Sequence, residues 1–360
     1  MTQSDFVPFG TFNLLSEGVV SYQSPSNIAL VKYWGKHGEQ LPQNTSLSFT
    51  LSNCFTKTRL SFKQKSDTSN KVRFKVLLDD KEEPSFVPKI KKFFNRIEKY
   101  LPFINNYDFR IETSNSFPHS SGIASSASGM SALAACLMEM EKILRPEISK
   151  EYLINKTSFL ARLGSGSACR SLEGPLVVWG KHPDVEGSSD LFGVSYQGEV
   201  HKNFKNYQDT VLLVDKGEKQ VSSTIGHNLM HDHAYAQARF RQANTNLSKL
   251  LSVLKSGDQD AFIKIIESEA LTLHAMMMTS HPYFILMKPN TLEIINDLWN
   301  YRDQTGSKVC FTLDAGANVH VLYPENEIKD IHNFIDQKLS KYCQNGHYIN
   351  DNVGSGAKKL

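Results

Sequence analysis

Four short stretches of this chain place hydroxyls, cations and one carboxylate where they could handle a phosphorylated anion. The first, Ser114 to Gly129, packs Ser120, Ser121, Ser125 and Ser126 around Gly122. A strand enters that loop and a helix of small residues leaves it. Backbone N–H groups at a helix N-terminus, aided by the macrodipole, bind anions. The hydroxyls add donors and candidate oxygen ligands for Mg²⁺, and Gly122 permits close approach to a phosphate. The loop lacks the GxxxxGK[ST] pattern of a P-loop, and its composition alone would equally suit the cap of a core helix. The second stretch, Ala161 to Ser171, gathers Ser165, Gly166, Ser167, Ala168, Cys169 and Arg170. Backbone and hydroxyl donors beside a guanidinium fork suit an oxyanion, with a flexible turn and a surface Arg as the plainer alternative. The third, Ser26 to Lys36, brackets Tyr33 and Trp34 with Lys32 and Lys36, so that cations sit against an apolar wall where their fields are strong. In the fourth, Thr312 to Val319, Asp314 precedes Ala315 and Gly316. Such an Asp is often a turn former, but in a cationic pocket it becomes a base for a hydroxyl proton.

The elements that must position these groups can be read from periodicity. Extended segments are expected over 20–36, with a turn at Pro25 to Asn27, and over 45–62, 71–79, 109–113, 176–179, 210–215 and 308–323. Helices are expected over 88–101, with Ile90, Phe93, Phe94 and Ile97 on one face, and over 123–143, 150–163, most of 225–300, and 327–342. Strands and helices mix without regular βα alternation, which points to an α+β arrangement of mixed or antiparallel sheets with packed helices. At 360 residues, of which 40% are hydrophobic, two domains are expected. The polar run 198–206 divides them into 1–205 and 206–360. With 40 basic against 37 acidic residues, the net charge gives no reason to expect nucleic acid. No apolar run reaches membrane-spanning length, and the first residues do not read as a secretory signal. Five scattered cysteines favour neither a disulfide framework nor structural zinc, so a cytoplasmic protein is expected. His227, His231 and His233 share a probable helix but lack the further ligands of a metal site. The Met276 to Met278 triplet reads as core filling.

Taken together, NIALVKYWGK, SGIASSASG, GSGSACRSL, VSST (221–224), LHAMMMTSHP and LDAGANV resemble the GHMP kinase superfamily and, within it, the diphosphomevalonate decarboxylases, over about residues 20–358. The resemblance implies a two-domain GHMP kinase-like fold with the active site in a cleft between domains. It also implies ATP and Mg²⁺ as cofactors, a mevalonate phosphate ester as substrate, and a homodimer. The implied reaction phosphorylates the 3-hydroxyl of (R)-5-diphosphomevalonate, then releases phosphate and CO₂ to give isopentenyl diphosphate. Asp314, Arg170 and Lys32 match the catalytic set. Tyr33, Trp34, Gly35, Lys36, Arg73, Ser165, Gly166, Ser167, Ala168, Cys169 and Thr224, with Arg170, match substrate contacts. Ser120, Ser121, Gly122, Ile123, Ala124, Ser125 and Ser126 match the nucleotide cradle. His119, Ala317 and His227 depart from the family's usual residues. The same chemistry on 5-phosphomevalonate, a kinase that stops at phosphorylation, and a non-enzymatic nucleotide-binding protein are the alternative readings.

Overall fold

A computed structural model describes residues 1–67, 69, 71–118, 123–216 and 223–360, and the side chains of all of these except Ser223 and Thr224. Its framework strand β1 (Glu17–Val31) pairs antiparallel with β2 (Ser46–Gln64), from Glu17 opposite Lys63 to Val31 opposite Leu47. The burial of β2 changes along its length. Its first residues, SLSFTL, are buried on both faces, whereas beyond Asn53 alternate residues turn outward. That is the pattern of a strand covered on two sides at one end and on one side at the other. The Pro-Ser-Asn segment expected to turn instead continues β1 through an irregularity between Pro25 and Asn27. A bulge absorbs the extra residue without breaking the ladder.

β3 (Arg73–Leu78) and β4 (Tyr107–Asn115) run parallel, joined across α1 (Val87–Ile97). Ile90, Phe93, Phe94 and Ile97 of α1 are buried as the periodicity requires, each contributing about 1.5–3 kcal/mol. β5 (Leu176–Trp179) flanks the doubly covered end of β2, and β6 (Gly193–Ser195) pairs with β5. The two-residue strand Lys358–Lys359 returns to β1. Two helices cover this sheet, α2 (Ser125–Leu144) and α3 (Lys150–Gly164). Small residues let α2 lie close to β1, where the Ser24 and Ser131 hydroxyls meet at 2.6 Å.

A second, antiparallel sheet is ordered β8 (Cys310–Leu313), β9 (Val319–Tyr323), β7 (Gln208–Leu212), β10 (Tyr348–Asn352). The short α4 (Ser223–Asn228) is followed by α5 (Ala236–Ser256), α6 (Gln259–Met278) and α7 (Pro289–Thr305). The expected last helix is α8 (Ile328–Phe334), which widens into a π turn over Ile335–Leu339. One apolar core joins Ile28, Leu47 and Phe49 of the first sheet to Val211, Leu247 and Phe262 of the second half. The architecture is therefore α+β, with two sheets sharing a core. The end of β1 is directed toward the end of β8.

Candidate active site

β1 ends at Val31, and Lys32 follows it into the interior at 1% exposure. Its Nζ lies 3.2 Å from Oδ1 of Asp314, which β8 delivers just past Leu313. Burial pulls the Lys32 ammonium below its usual pKa, while Asp314 acts in the opposite direction. The backbone of Lys32 is clamped as well. Its N–H donates to Glu269 Oε2 at 2.8 Å, and Arg239 grips both oxygens of the same carboxylate at 2.8 and 2.5 Å. Asn44 donates to the Lys32 carbonyl at 2.9 Å. On the far side of the pair, His274 meets the Asp314 carbonyl through Nε2 at 3.1 Å. Burial pushes the His274 imidazole down to about 4.

Arg170 closes a 3₁₀ turn, Gly166–Arg170, at the end of α3 and is buried. Its Nη1 donates to the Ser46 hydroxyl and its Nε to Asn27 Oδ1 at 3.4 Å. Asn27 in turn donates to the Ser171 hydroxyl at 2.7 Å and the Ser167 carbonyl at 3.2 Å, tying the turn to β1. Burial lowers the Arg170 pKa, and Asp314 is among the groups that counter it. Lys32, Arg170 and Asp314 therefore share one low-dielectric region, the first two supplied by the end of β1 and the turn after α3, the third by the end of β8.

Around this set the wall is aromatic. The Tyr33 ring contacts Trp179 at 4.6 Å and His227 at 4.2 Å. Its hydroxyl is buried and has no hydrogen-bond partner among the described residues. A Cβ at Gly166 would stand 3.0 Å from that hydroxyl, so glycine there is what admits the ring. Gly35 turns the chain with φ +93°, a conformation glycine adopts without strain, and leads into Lys36. Burial lowers the Lys36 pKa, followed by repulsion from Arg96 and Lys92. Several expected contacts are brought alongside as supports. Trp34 packs with Met230, Phe240 and Met276, Ala168 lies in the N-terminal core, and Ile123 lies in the shared core. Cys169 donates its thiol to the Gly166 carbonyl at 3.1 Å, and burial pushes its pKa up to about 12.

Arg73 is not brought here. It forms ion pairs with Asp108 at 2.6 Å and Asp67 at 2.7 Å. Through Asp108 and Lys63 it aligns with the Glu17 end of β1, and the fifteen residues from Glu17 to Val31 span roughly 45 Å of strand. The weak local match KVRFKVLLDD placed this guanidinium at the substrate, whereas two aspartates hold it at the opposite end of the sheet.

Of the expected nucleotide cradle, Ser120, Ser121 and Gly122 lie outside the described residues, as do His119 and the Thr224 side chain. Ala124 takes a left-handed conformation at φ +41° ahead of α2. Ser126 then meets Ser165 hydroxyl to hydroxyl at 3.2 Å, bringing the first two sequence motifs together. Behind Ser125 and Ser126 a cavity of about 120 Å³ runs between α1, α2 and the sheet, past Gly129, Ile90, Val76 and Ile111.

Sequence reasoning passed over Asn27, Ser46, Glu269 and Arg239. Asn27 lay inside a motif already singled out, and its hydrogen-bonding side chain among apolar neighbours was a usable signal. Glu269 is 237 residues from Lys32 and Arg239 is 207, and nothing local marks either one.

Known proteins resemble both halves of the chain. Residues 24–190 match the diphosphomevalonate decarboxylase-like N-terminal domain, and residues 210–357 match the mevalonate 5-diphosphate decarboxylase C-terminal domain. A diphosphomevalonate decarboxylase of Ganoderma lucidum is 30% identical over 86% of this chain and 79% of its own length. The Bos taurus enzyme is 27% identical over 87% and 78%. Among solved structures, the mevalonate diphosphate decarboxylase of Enterococcus faecalis superposes with a TM-score of 0.80 at 27% identity, over 96% of this chain and 99% of that one. A complex of MDDEF with MVAPP, AMPPCP and magnesium gives 0.81 at 28%, over the same shares. Matched by both family models, by relatives and by solved structures over most of its length, the chain belongs to the diphosphomevalonate decarboxylase family.

Proposed function

We propose that this chain converts 5-diphosphomevalonate to isopentenyl diphosphate with consumption of ATP, through the residues gathered at the junction of the two sheets. The observation that carries the reading is the Lys32–Asp314 pair at 3.2 Å, its lysine buried, with Arg170 beside it. A tertiary hydroxyl is a poor leaving group, so it must first become a phosphate ester. Asp314, about a third exposed beside the buried Lys32, accepts the hydroxyl proton. The Lys32 ammonium stands 3.2 Å from that carboxylate. Lys32 then faces the charge that develops on the transferred phosphoryl group. Arg170, fixed by Asn27 and Ser46, offers its fork to the substrate carboxylate. When the new phosphate ester breaks, the C–C bond to that carboxylate also breaks. Its electron pair becomes the double bond, and CO₂ and phosphate depart. Lys36, Tyr33 and the 165–169 turn form the diphosphate wall.

ATP with magnesium supplies the phosphoryl group, and the residues present fit it. Ser125 and Ser126 open a 20-residue helix whose N-terminus favours anions, and the largely apolar cavity behind them suits a nucleobase. No cluster of three metal-ligating side chains occurs among the described residues. Magnesium commonly takes one or two protein ligands and completes its shell from phosphates and water, as such a site allows. We also propose a division at 205/206, between Gly193–Ser195 of the first sheet and Gln208–Leu212 of the second, and a cytoplasmic homodimer, in keeping with five buried free cysteines and with the family resemblance. No helix among the described residues is long and apolar enough to cross a membrane.

Asp314→Asn tests the assignment. Turnover is expected to fall by about 10²–10⁴ while ATP affinity, measured separately by calorimetry, stays within about threefold. Activity within tenfold of the parent would remove Asp314 from the reaction.

A further inference from the structure

His227 stands where no catalytic role has been assigned, yet its ring is held as firmly as any in the site. It lies between Tyr33 and Trp34, with centroids 4.2 and 4.7 Å away. Gly226 makes this possible, since a Cβ there would fall 2.5 Å from Trp34. The Gly35 N–H donates to Nδ1 at 3.0 Å. A ring nitrogen that accepts carries no proton, so the neutral ring must hold its proton on Nε2. Among the described residues the ring's one hydrogen bond is that to Nδ1, and His227 is 8% exposed. The cations that act on this ring are Lys36 and Arg170.

We propose that His227 is a substrate-binding residue whose neutral Nε2–H donates a hydrogen bond to the pyrophosphate group of the substrate. The substrate named here rests on the function proposed above. Burial first, then the two neighbouring cations, pushes the imidazole down to about 3, so the donor stays uncharged throughout the neutral range. It adds direction to a wall whose positive charge is already supplied, and it avoids the repulsion a further cation would meet. The same ring fixes Gly35 and with it the entry to Lys36, so the donor and the lysine are positioned together.

Two substitutions separate contact from scaffolding. His227→Asn retains an acceptor for the Gly35 N–H but removes the donor at the Nε2 position. His227→Gln places an amide N–H near that position. Inorganic pyrophosphate is the probe, titrated into each folded variant, with ¹⁵N-histidine spectra of the parent recording the Nε2–H resonance. The Asn variant is expected to lose about tenfold in pyrophosphate affinity and in KM for the diphosphate ester, with kcat within about threefold. The Gln variant should recover most of that loss, KM for the monophosphate ester should change less, and the parent's Nε2–H resonance should move on titration. Unchanged pyrophosphate affinity in the Asn variant, equal losses in both variants, or a resonance indifferent to pyrophosphate would each overturn the proposal. Pyrophosphate binding needs no turnover. A protein that shifts the resonance but releases no CO₂ would refute the proposed reaction while sustaining the role of His227.

Discussion

At the scale of single residues, the site works by keeping charge out of water. Lys32 and Arg170 are almost fully buried and Asp314 is only partly so, so the carboxylate is the most exposed member of the set. Arg170 is bound through separate nitrogens to Ser46 and Asn27, an arrangement a compact ammonium cannot copy. Arg170→Lys should therefore lower kcat/KM by at least about a hundredfold, and normal steady-state kinetics would argue against a role in holding the carboxylate. The residues with chemistry were legible because their types are unusual where they stand: a lysine at the end of a buried strand, an arginine after GSGSAC, an acid before small residues. Arg73 shows the converse. An arginine on an exposed strand pairs with whatever acids the sheet supplies, here Asp67 and Asp108, and its own sequence neighbours do not reveal them.

At the scale of elements, α2 closes the N-terminal core, and in the proposed function it also presents its first turn to the nucleotide. Gly129 sits on its cavity-facing side, and a Cβ there would meet no atom within 4 Å. Gly129→Leu should fill the cavity and raise KM for ATP about tenfold or more, while binding of the diphosphate ester changes little. An unchanged KM for ATP would place the nucleobase elsewhere. α1, α2, α3 and the long strands were readable because each repeats one pattern over several turns or alternations. β1 was read two ways amiss. It runs through Pro25 with a bulge, and it ends at Val31, before the expected limit at 36. Pairing with β2 overrides the local turn preference, and the Gly35 conformation with the His227 hydrogen bond draws the chain off the sheet. Both causes lie in segments distant along the chain.

At the scale of the molecule, the shared core and the Arg239–Glu269 clamp make the two halves one catalytic unit. The pairing of Lys32 with Asp314, 282 residues along the chain, is what a single sequence conceals. Burial also imposes a pH dependence. His274 has a folded-state pKa of about 4, below the value of about 6.5 in an unfolded chain. The unfolded chain thus binds more protons between those values. Stability rises with pH across the window, and the contribution of His274 is lost as pH falls from 6.5 to 4. It amounts to about 3 kcal/mol in all. Urea unfolding of parent and His274→Gln should show the parent losing more stability than the variant between pH 6.5 and 4. Parallel curves would mean that the imidazole is not held neutral.

The most direct test of the central claim counts ADP and CO₂ together from the purified protein with MgATP and either 5-diphosphomevalonate or 5-phosphomevalonate. Equal amounts of ADP and CO₂ from the diphosphate ester are expected, with little of either from the monophosphate. ADP without CO₂ would contradict the account, because Lys32, Arg170 and Asp314 would then be a phosphorylating set that leaves the carboxylate in place.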